Sequence, residues 1–403
     1  MKRNFMKLLT VVSVGLFGSF PALSQGQSAR LWVVNGLAET ASRVILDSGT
    51  VSNHILTLGV IPNQVVAAGS YLLVVNSGSN DIQVFNRNTL MEQGTVELGP
   101  NRNPWNLVMM DSAIGYVTNF VTNTVSKFNI ITRAVLKEFP VGQSPEGIAL
   151  AQEQIWVCNT GFNPSDFSYG QGEIAVIDPV FDSVVARINV GSNPQAIKNT
   201  PDRKLLAVCT GNFGSVGGSL YRIDPASQTV TDSILTGGQP SSAAITYGNA
   251  AYLPAGGFVG NGVVFKVNLN TNTVERGVGN PILVGTGATD AIYDIDSNYV
   301  YVACFSDGTV RKLNTSDAIA ASFQMGDGPA SLDLAYPFLT GDLNGDNRHS
   351  AADVVSLITC IFSGCTPRPR QSQMELNRDG QATASDIVCL LRHVFSGGPA
   401  PCR

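Results

Sequence analysis

Residues 115–150 read GYVTNFVTNTVSKFNIITRAVLKEFPVGQSPEGIAL. Gly115-Tyr116-Val117-Thr118-Asn119, Thr124-Val125-Ser126-Lys127-Phe128-Asn129 and Ala134-Val135-Leu136-Lys137-Glu138-Phe139 are short segments rich in β-branched and aromatic residues, and none keeps a helical period. Val141-Gly142-Gln143-Ser144-Pro145 is a turn signal, and Glu146-Gly147-Ile148-Ala149 opens the next apolar segment. The stretch predicts three strands, a turn and the start of a fourth strand.

A similar turn, mostly Gly followed two or three residues on by Pro, recurs at Pro62, Pro104, Pro145, Pro194, Pro240 and Pro329, with Ala288 in place of the proline in one repeat, at intervals of 41 to 49 residues. Each turn leads through a short apolar segment into a second β-rich one: Leu72–Asn76, Gly115–Asn119, Ile155–Asn159, Leu206–Thr210, Ala251–Leu253 and Tyr301–Cys304. Four short strands per repeat, in about seven repeats, is the arithmetic of a mainly β, seven-bladed β-propeller. Leu31–Asn35 matches the second strand of the unit and Ser331–Ala335 the first. Strand exchange between the N- and C-terminal repeats is therefore expected to complete the first blade and close the ring without a loose edge.

The tetrapeptide Tyr116-Val117-Thr118-Asn119, followed by Asn123-Thr124-Val125 and Val141 to Ala149, resembles the repeat of the family named for its Tyr-Val-Thr-Asn motif. The resemblance covers about residues 30–336 and implies a propeller on an exported or surface protein, without a shared activity. Departures from the repeat carry more information than the repeat itself. The loop after the second strand is lengthened at Thr160–Gly172, Thr210–Gly218 and Pro254–Gly262, in blades four, five and six. These insertions are expected side by side on the face that carries the Gly/Pro turns. They bring Phe162, Asn163, Asp166, Phe167, Tyr169, Asn212, Phe213, Phe258 and Asn261, aromatic and amide groups suited to a glycan or a peptide.

A different pattern begins after the last repeat. Asp342, Asn344, Asp346, Arg348, Ser350 and Asp353 stand at positions 1, 3, 5, 7, 9 and 12 of a twelve-residue loop, the spacing that wraps oxygen ligands around Ca²⁺. Arg348 would give its backbone carbonyl. Glu375, Asn377, Asp379, Gln381, Thr383 and Asp386 repeat the pattern 33 residues later, with Glu375 marking the second site as the weaker. Val354-Val355, Leu357-Ile358 and Ile361-Phe362-Ser363-Gly364 align with Ile387-Val388, Leu390-Leu391 and Val394-Phe395-Ser396-Gly397, so each loop leads into an amphipathic helix that ends at a Gly. This duplicated loop and helix resembles a type I dockerin over about residues 341–397, an α-helical, EF-hand-related module. The resemblance implies two Ca²⁺ sites and a cohesin-like partner, often within polysaccharide-degrading assemblies. The Ser-Thr pair common at positions 10 and 11 is replaced by Ala351-Ala352 and Ala384-Ser385, and position 6 of the first loop is Asn347 rather than Gly.

Length and composition agree with packed domains: of 403 residues, 44% are hydrophobic and only 14% charged, below the roughly 25% charged of an average chain and unlike a disordered one. No Lys/Arg stripe is present, so nucleic-acid binding is not expected. Lys2, Arg3 and Lys7, the apolar run Leu8–Phe20 and Ala22-Leu23-Ser24 read as a secretory signal peptide, with no later membrane span and a secreted or cell-surface destination. The expected organisation is residues 1–24 leader, 25–336 propeller and 337–403 calcium module. Cys360, Cys365, Cys389 and Cys402 read as two disulfides with three possible connectivities, whereas Cys158, Cys209 and Cys304 read as small buried hydrophobes.

Catalytic groups are scarce. His54, His349 and His393 are the only histidines. His54 is expected solvated at the start of an outer strand, and neither His349 nor His393 is expected near another base. Exported seven-bladed streptogramin lyases resemble the chain in blade number, but they rely on histidine and a divalent metal, and blades two to seven hold no histidine. Neither a nucleophile elbow, a zinc-protease helix nor a phosphate-binding loop is present. The reading is a non-enzymatic binding or scaffold protein. The alternative is a carbohydrate-active or other propeller enzyme, hydrolase or lyase, with two carboxylates meeting across the channel.

Overall fold

The second strand of each blade is a nearly continuous apolar run, as in Leu72–Val75 and Ile155–Cys158, because both of its faces are buried against neighbouring blades. The computed structural model describes residues 28–256, 262–337, 340–343, 349–365, 369–377 and 381–396. Its β-rich part is a ring of seven antiparallel sheets. In the third blade Pro104–Met109 is innermost, followed outward by Ile114–Asn119, Thr124–Asn129 and Ala134–Pro140. Blade six departs from this scheme: Thr273–Arg276 and Ile282–Leu283 both pair with Val263–Asn268.

Closure follows the sequence expectation. Pro329–Ala335 lies antiparallel to Arg30–Asn35, in the register Leu31 to Leu334 and Val33 to Leu332, and supplies the inner strand of blade one. The core is seven apolar layers between adjacent blades, such as Trp156, Cys158 and Ile174 of blade four against Ile197, Leu205 and Cys209 of blade five. Cys158, Cys209 and Cys304 are free thiols within these layers.

Side-chain hydrogen bonds give each blade its turn and tie it to the next. The Asn119 amide donates to Thr124 Oγ1 at 3.0 Å and Ser126 Oγ at 2.9 Å. Asn35 makes the equivalent bonds to Thr40 and Ser42, and Asn76 to Asp81 and Gln83. In blades one to three the asparagine that ends the second strand is thus a buried clamp on the turn into the third: its Nδ2 is satisfied by two acceptors, while its Oδ1 is buried without a partner among the described residues. Between blades, Thr118 Oγ1 donates to the Glu146 carbonyl at 2.8 Å, Ser77 Oγ to that of Pro104 at 2.7 Å and Thr210 Oγ1 to that of Pro240 at 2.7 Å. Further in, Asp333 accepts from Ala67 N at 2.6 Å and Asp290 from Leu332 N at 2.9 Å.

The strand directions put the Gly/Pro turns and the loops after the second strands on one face, here the upper, and the remaining turns on the lower. His54 lies within the outer strand Thr50–Thr57, not at its start, where the pairing with Thr40–Ile45 is irregular. Its φ of 54° and its bond to Thr40 show that the side chain is placed by a bulge.

Beyond the ring, the described residues form the helices α1 (Ala351–Phe362), α2 (Gln371–Met374) and α3 (Ala384–Ser396). Residues Val354 and Leu357 of α1 pack with Ile387 and Leu390 of α3 around Leu343, Met374 and Leu376. The apolar stripes are wider than this shared core: Val355, Ile358 and Phe362, and their counterparts Val388, Leu391 and Phe395, are exposed. Cys360 is bonded to Cys365, and Cys389 is disulfide-bonded as well. Among the described residues no helix is long and apolar enough to cross a membrane.

Candidate functional site

The inserted loop of blade four folds as a small hairpin in which Phe162 pairs with Tyr169 and Asn163 with Ser168. Its turn is built by its own polar groups. Asn163 Oδ1 accepts from Ser165 N at 3.0 Å, and Asp166 Oδ1 accepts from the Ser168 hydroxyl at 2.7 Å and its amide at 3.0 Å. These bonds hold the Asp166 carboxyl below its ordinary range. In blade five Asn212 Oδ1 accepts from Gly214 N at 3.0 Å and Val216 N at 2.9 Å. The acceptor oxygens of Asn163, Asp166 and Asn212 therefore shape the loops, whereas the sequence reading gave these residues to a ligand. Phe258 and Asn261 lie outside the described residues.

The aromatic residues form a continuous row. Ring centroids step from Trp105 to Phe120 at 5.7 Å, to Phe162 at 5.7 Å, to Tyr169 at 5.1 Å and to Phe213 at 5.5 Å. Phe167 branches from Phe162 at 6.0 Å and is 78% exposed. The row crosses blades three, four and five on the upper face. Trp105 and Phe120 were not expected there. Each follows a recognised mark, the turn proline Pro104 and the terminal Asn119 of the tetrapeptide, at the upper ends of the first and second strands of blade three.

Glu146, the residue after Pro145, occupies the corresponding place in blade four and is 3% exposed. Burial pushes its carboxyl up to about 8. Burial first and the Glu146 charge second push the Tyr169 hydroxyl up to about 12, and the same charge contributes to the raised Cys158 thiol. The acid begins the inner strand Pro145–Ala151 of blade four, and its backbone carbonyl is held by Thr118 of blade three.

The two C-terminal loops share one geometry. Asp353 Oδ1 accepts from Leu343 N at 2.9 Å and Oδ2 from Ser350 N and Oγ, each at 2.9 Å. Asp386 Oδ1 accepts from Leu376 N at 2.7 Å and Oδ2 from Thr383 N at 2.7 Å. In both halves the twelfth residue pins the start of the loop to its end and caps the following helix. Asp342, Asp353, Glu375 and Asp386 are all buried. Ser350, Asn377, Gln381 and Thr383 are described, while Asn344, Asp346, Arg348 and Asp379 lie outside the described residues. His349 and His393, expected apart from other bases, meet edge to face at 4.7 Å because each half contributes one ring to the same junction.

A scan of protein-family models found no match for this chain, and no curated protein matched it. Solved structures do resemble it. A hydrazine synthase structure from Kuenenia stuttgartiensis is 20% identical with a TM-score of 0.56, over 67% of this chain and 88% of that one. A functionally unknown protein from Desulfotomaculum acetoxidans is 12% identical with a TM-score of 0.60, over 76% and 99%. Virginiamycin B lyase from Staphylococcus aureus is 13% identical with a TM-score of 0.51, over 65% and 83%. The likeness is one of fold.

Proposed function

We propose that this is an exported, non-enzymatic binding protein: a Tyr-Val-Thr-Asn type propeller that receives a glycan or peptide on its upper face and carries a dockerin-like, calcium-binding module for docking to a second protein. The observation that carries the proposal is the aromatic row crossing three blades, with the module seated on the opposite face. The two surfaces can then be engaged at once. Rings in a row offer apolar area with little rotamer freedom to lose, which suits a binding surface.

The module's residues fit calcium. Buried Asp342, Asp353, Glu375 and Asp386 put carboxylate oxygens in two small loops, the hard-oxygen donor chemistry that a divalent cation such as calcium takes. Asp342, Asn344, Asp346, Ser350 and Asp353 with the Arg348 carbonyl would hold one ion. Glu375, Asn377, Asp379, Thr383 and Asp386 with the Gln381 carbonyl would hold the other. The exposed pairs Val355 and Val388, Ile358 and Leu391, and Phe362 and Phe395 support docking, because a duplicated apolar face left in solvent is suited to a partner. A cohesin-like domain is the partner class.

Glycan-array and peptide-array binding of the full chain tests the upper face. Binding that weakens tenfold or more in Phe162→Ala and Tyr169→Ala supports it, and binding indifferent to both substitutions overturns it. Glu146 favours a second reading, a carbohydrate-active hydrolase or lyase, because a carboxyl kept protonated near neutral pH is what a general acid requires. Polysaccharide turnover abolished by Glu146→Gln would establish that reading in place of the first.

A further inference from the structure

We infer that the propeller is part of the calcium device of the C-terminal module: Asp296, on the lower face of blade seven, holds the short helix α2 that sets the first ligand position of both loops, so seating on the ring and metal binding are coupled. The inference rests on the calcium reading above.

Asp296 lies in the turn between Ala288–Asp294 and Tyr299–Cys304. Its Oδ1 accepts from Ser372 N at 3.0 Å and its Oδ2 from Ser372 Oγ at 2.8 Å. Arg370 reaches the same carboxylate at 3.9 Å and Asp47 of blade one at 3.7 Å, bridging two blades from the start of α2. The connector is held at the same turn. The Tyr336 hydroxyl donates to Asp294 Oδ1 at 2.9 Å and accepts from Ile295 N at 3.3 Å.

From α2 the contacts run to both loops. Gln373, fully buried, donates from Nε2 to the Asp342 carbonyl at 3.2 Å, and its own carbonyl accepts from Gly341 N at 2.8 Å. This fixes the backbone at position 1 of the first loop. Glu375, position 1 of the second loop, caps the end of α2 with its N–H on the Gln371 carbonyl at 3.0 Å. One four-residue helix thus joins a propeller carboxylate to the entry of each loop.

A loop whose entry is already fixed loses less freedom when it closes on an ion, so seating raises calcium affinity. Linkage makes the effect reciprocal: calcium must tighten the seating by the same factor. Ser372, on the far side of the contact from the ring, gives an independent handle on it.

The test is calorimetric titration of CaCl₂ into the metal-stripped full chain, with amide hydrogen exchange at residues 371–374 followed with and without calcium. The chains compared are the unaltered protein, Asp296→Ala, Ser372→Ala, the double variant, and Glu92→Ala as an exposed control on blade two. Asp296→Ala and Ser372→Ala are each expected to weaken calcium binding about fivefold to tenfold. The double variant should be no worse than either single one, and calcium should slow exchange at α2 only where the contact is intact. Equal calcium affinity in all chains, with exchange at α2 indifferent to calcium, overturns the coupling and leaves the calcium reading standing. No calcium binding by the unaltered chain overturns both. Should Asp296→Ala lower the melting temperature of the ring itself, Ser372→Ala alone decides, by the same criterion.

Discussion

A single residue, Glu146, makes this ring pH-dependent. Its carboxyl lies near 8 in the folded chain against an ordinary 4.5. Between these values the unfolded chain is ionised at this residue and the folded chain is not, so stability falls as pH rises from about 4.5 to 8 and levels above. The full effect is on the order of 5 kcal/mol. Glu146→Gln should flatten the profile of melting temperature against pH across that window, while the parent declines; parallel profiles would show that the acid is not buried as described. Asp333, raised to about 6 by burial despite accepting from Ala67 N and Leu334 N, adds a smaller loss in the same direction below that pH. Asp353→Ala removes the loop staple and the Asp353 half of the capping box of α1, in which Ser350 is the N-cap, so loss of helical circular dichroism by about one helix is expected, and an unchanged spectrum would argue against the staple.

At the scale of the element, glycines mark where loops approach closely. A Cβ on Gly172, at the exit of the blade-four hairpin, would stand 2.2 Å from the Gly191 carbonyl oxygen, and one on Gly218 would stand 2.2 Å from the Pro240 ring. Gly172→Ala should therefore destabilise the ring by about 1–3 kcal/mol, measured by chemical denaturation, whereas Gly69→Ala, with open space but φ of 57°, should cost only its backbone strain. The strands themselves were legible because turn prolines and the Val-Thr-Asn type segment recur with the period of a blade. The hairpin was legible as a length difference, and so were Phe162, Tyr169 and Phe213. Trp105 and Phe120 were not, because they sit at repeat positions, where packing is the default reading and only the third dimension shows which rings touch. The structural use of Asn163, Asp166 and Asn212 was not legible for a different reason: in a tight loop, short polar side chains hydrogen-bond that loop's own backbone, which composition alone does not show. Helix α2 carried no period in four residues, and its role came from contacts with a turn some 76 residues earlier in the chain.

For the whole molecule, the ring and the helical tail should answer to different perturbations. Each blade packs on two neighbours, so damage at the closure is shared by all seven. Leu332→Ala, in the strand that completes blade one, is expected to cost about 2–5 kcal/mol and to lower one cooperative transition of the ring. On the proposed calcium reading, chelation should leave that transition in place and remove only a helical signal; a ring that melts earlier by many degrees under chelation would mean that the tail supports the propeller more than α2 and Tyr336 account for.

The shared first blade also dictates an order of events during synthesis. Residues 30–57 supply three of its strands, yet their fourth partner, 329–335, is made nearly three hundred residues later. Until then Arg30–Asn35 has no inner neighbour, and the nascent polypeptide carries an unsatisfied ladder that any stray segment could occupy. Maturation therefore waits on the last repeat, and whatever guards the emerging chain has to shield its earliest hairpins longest.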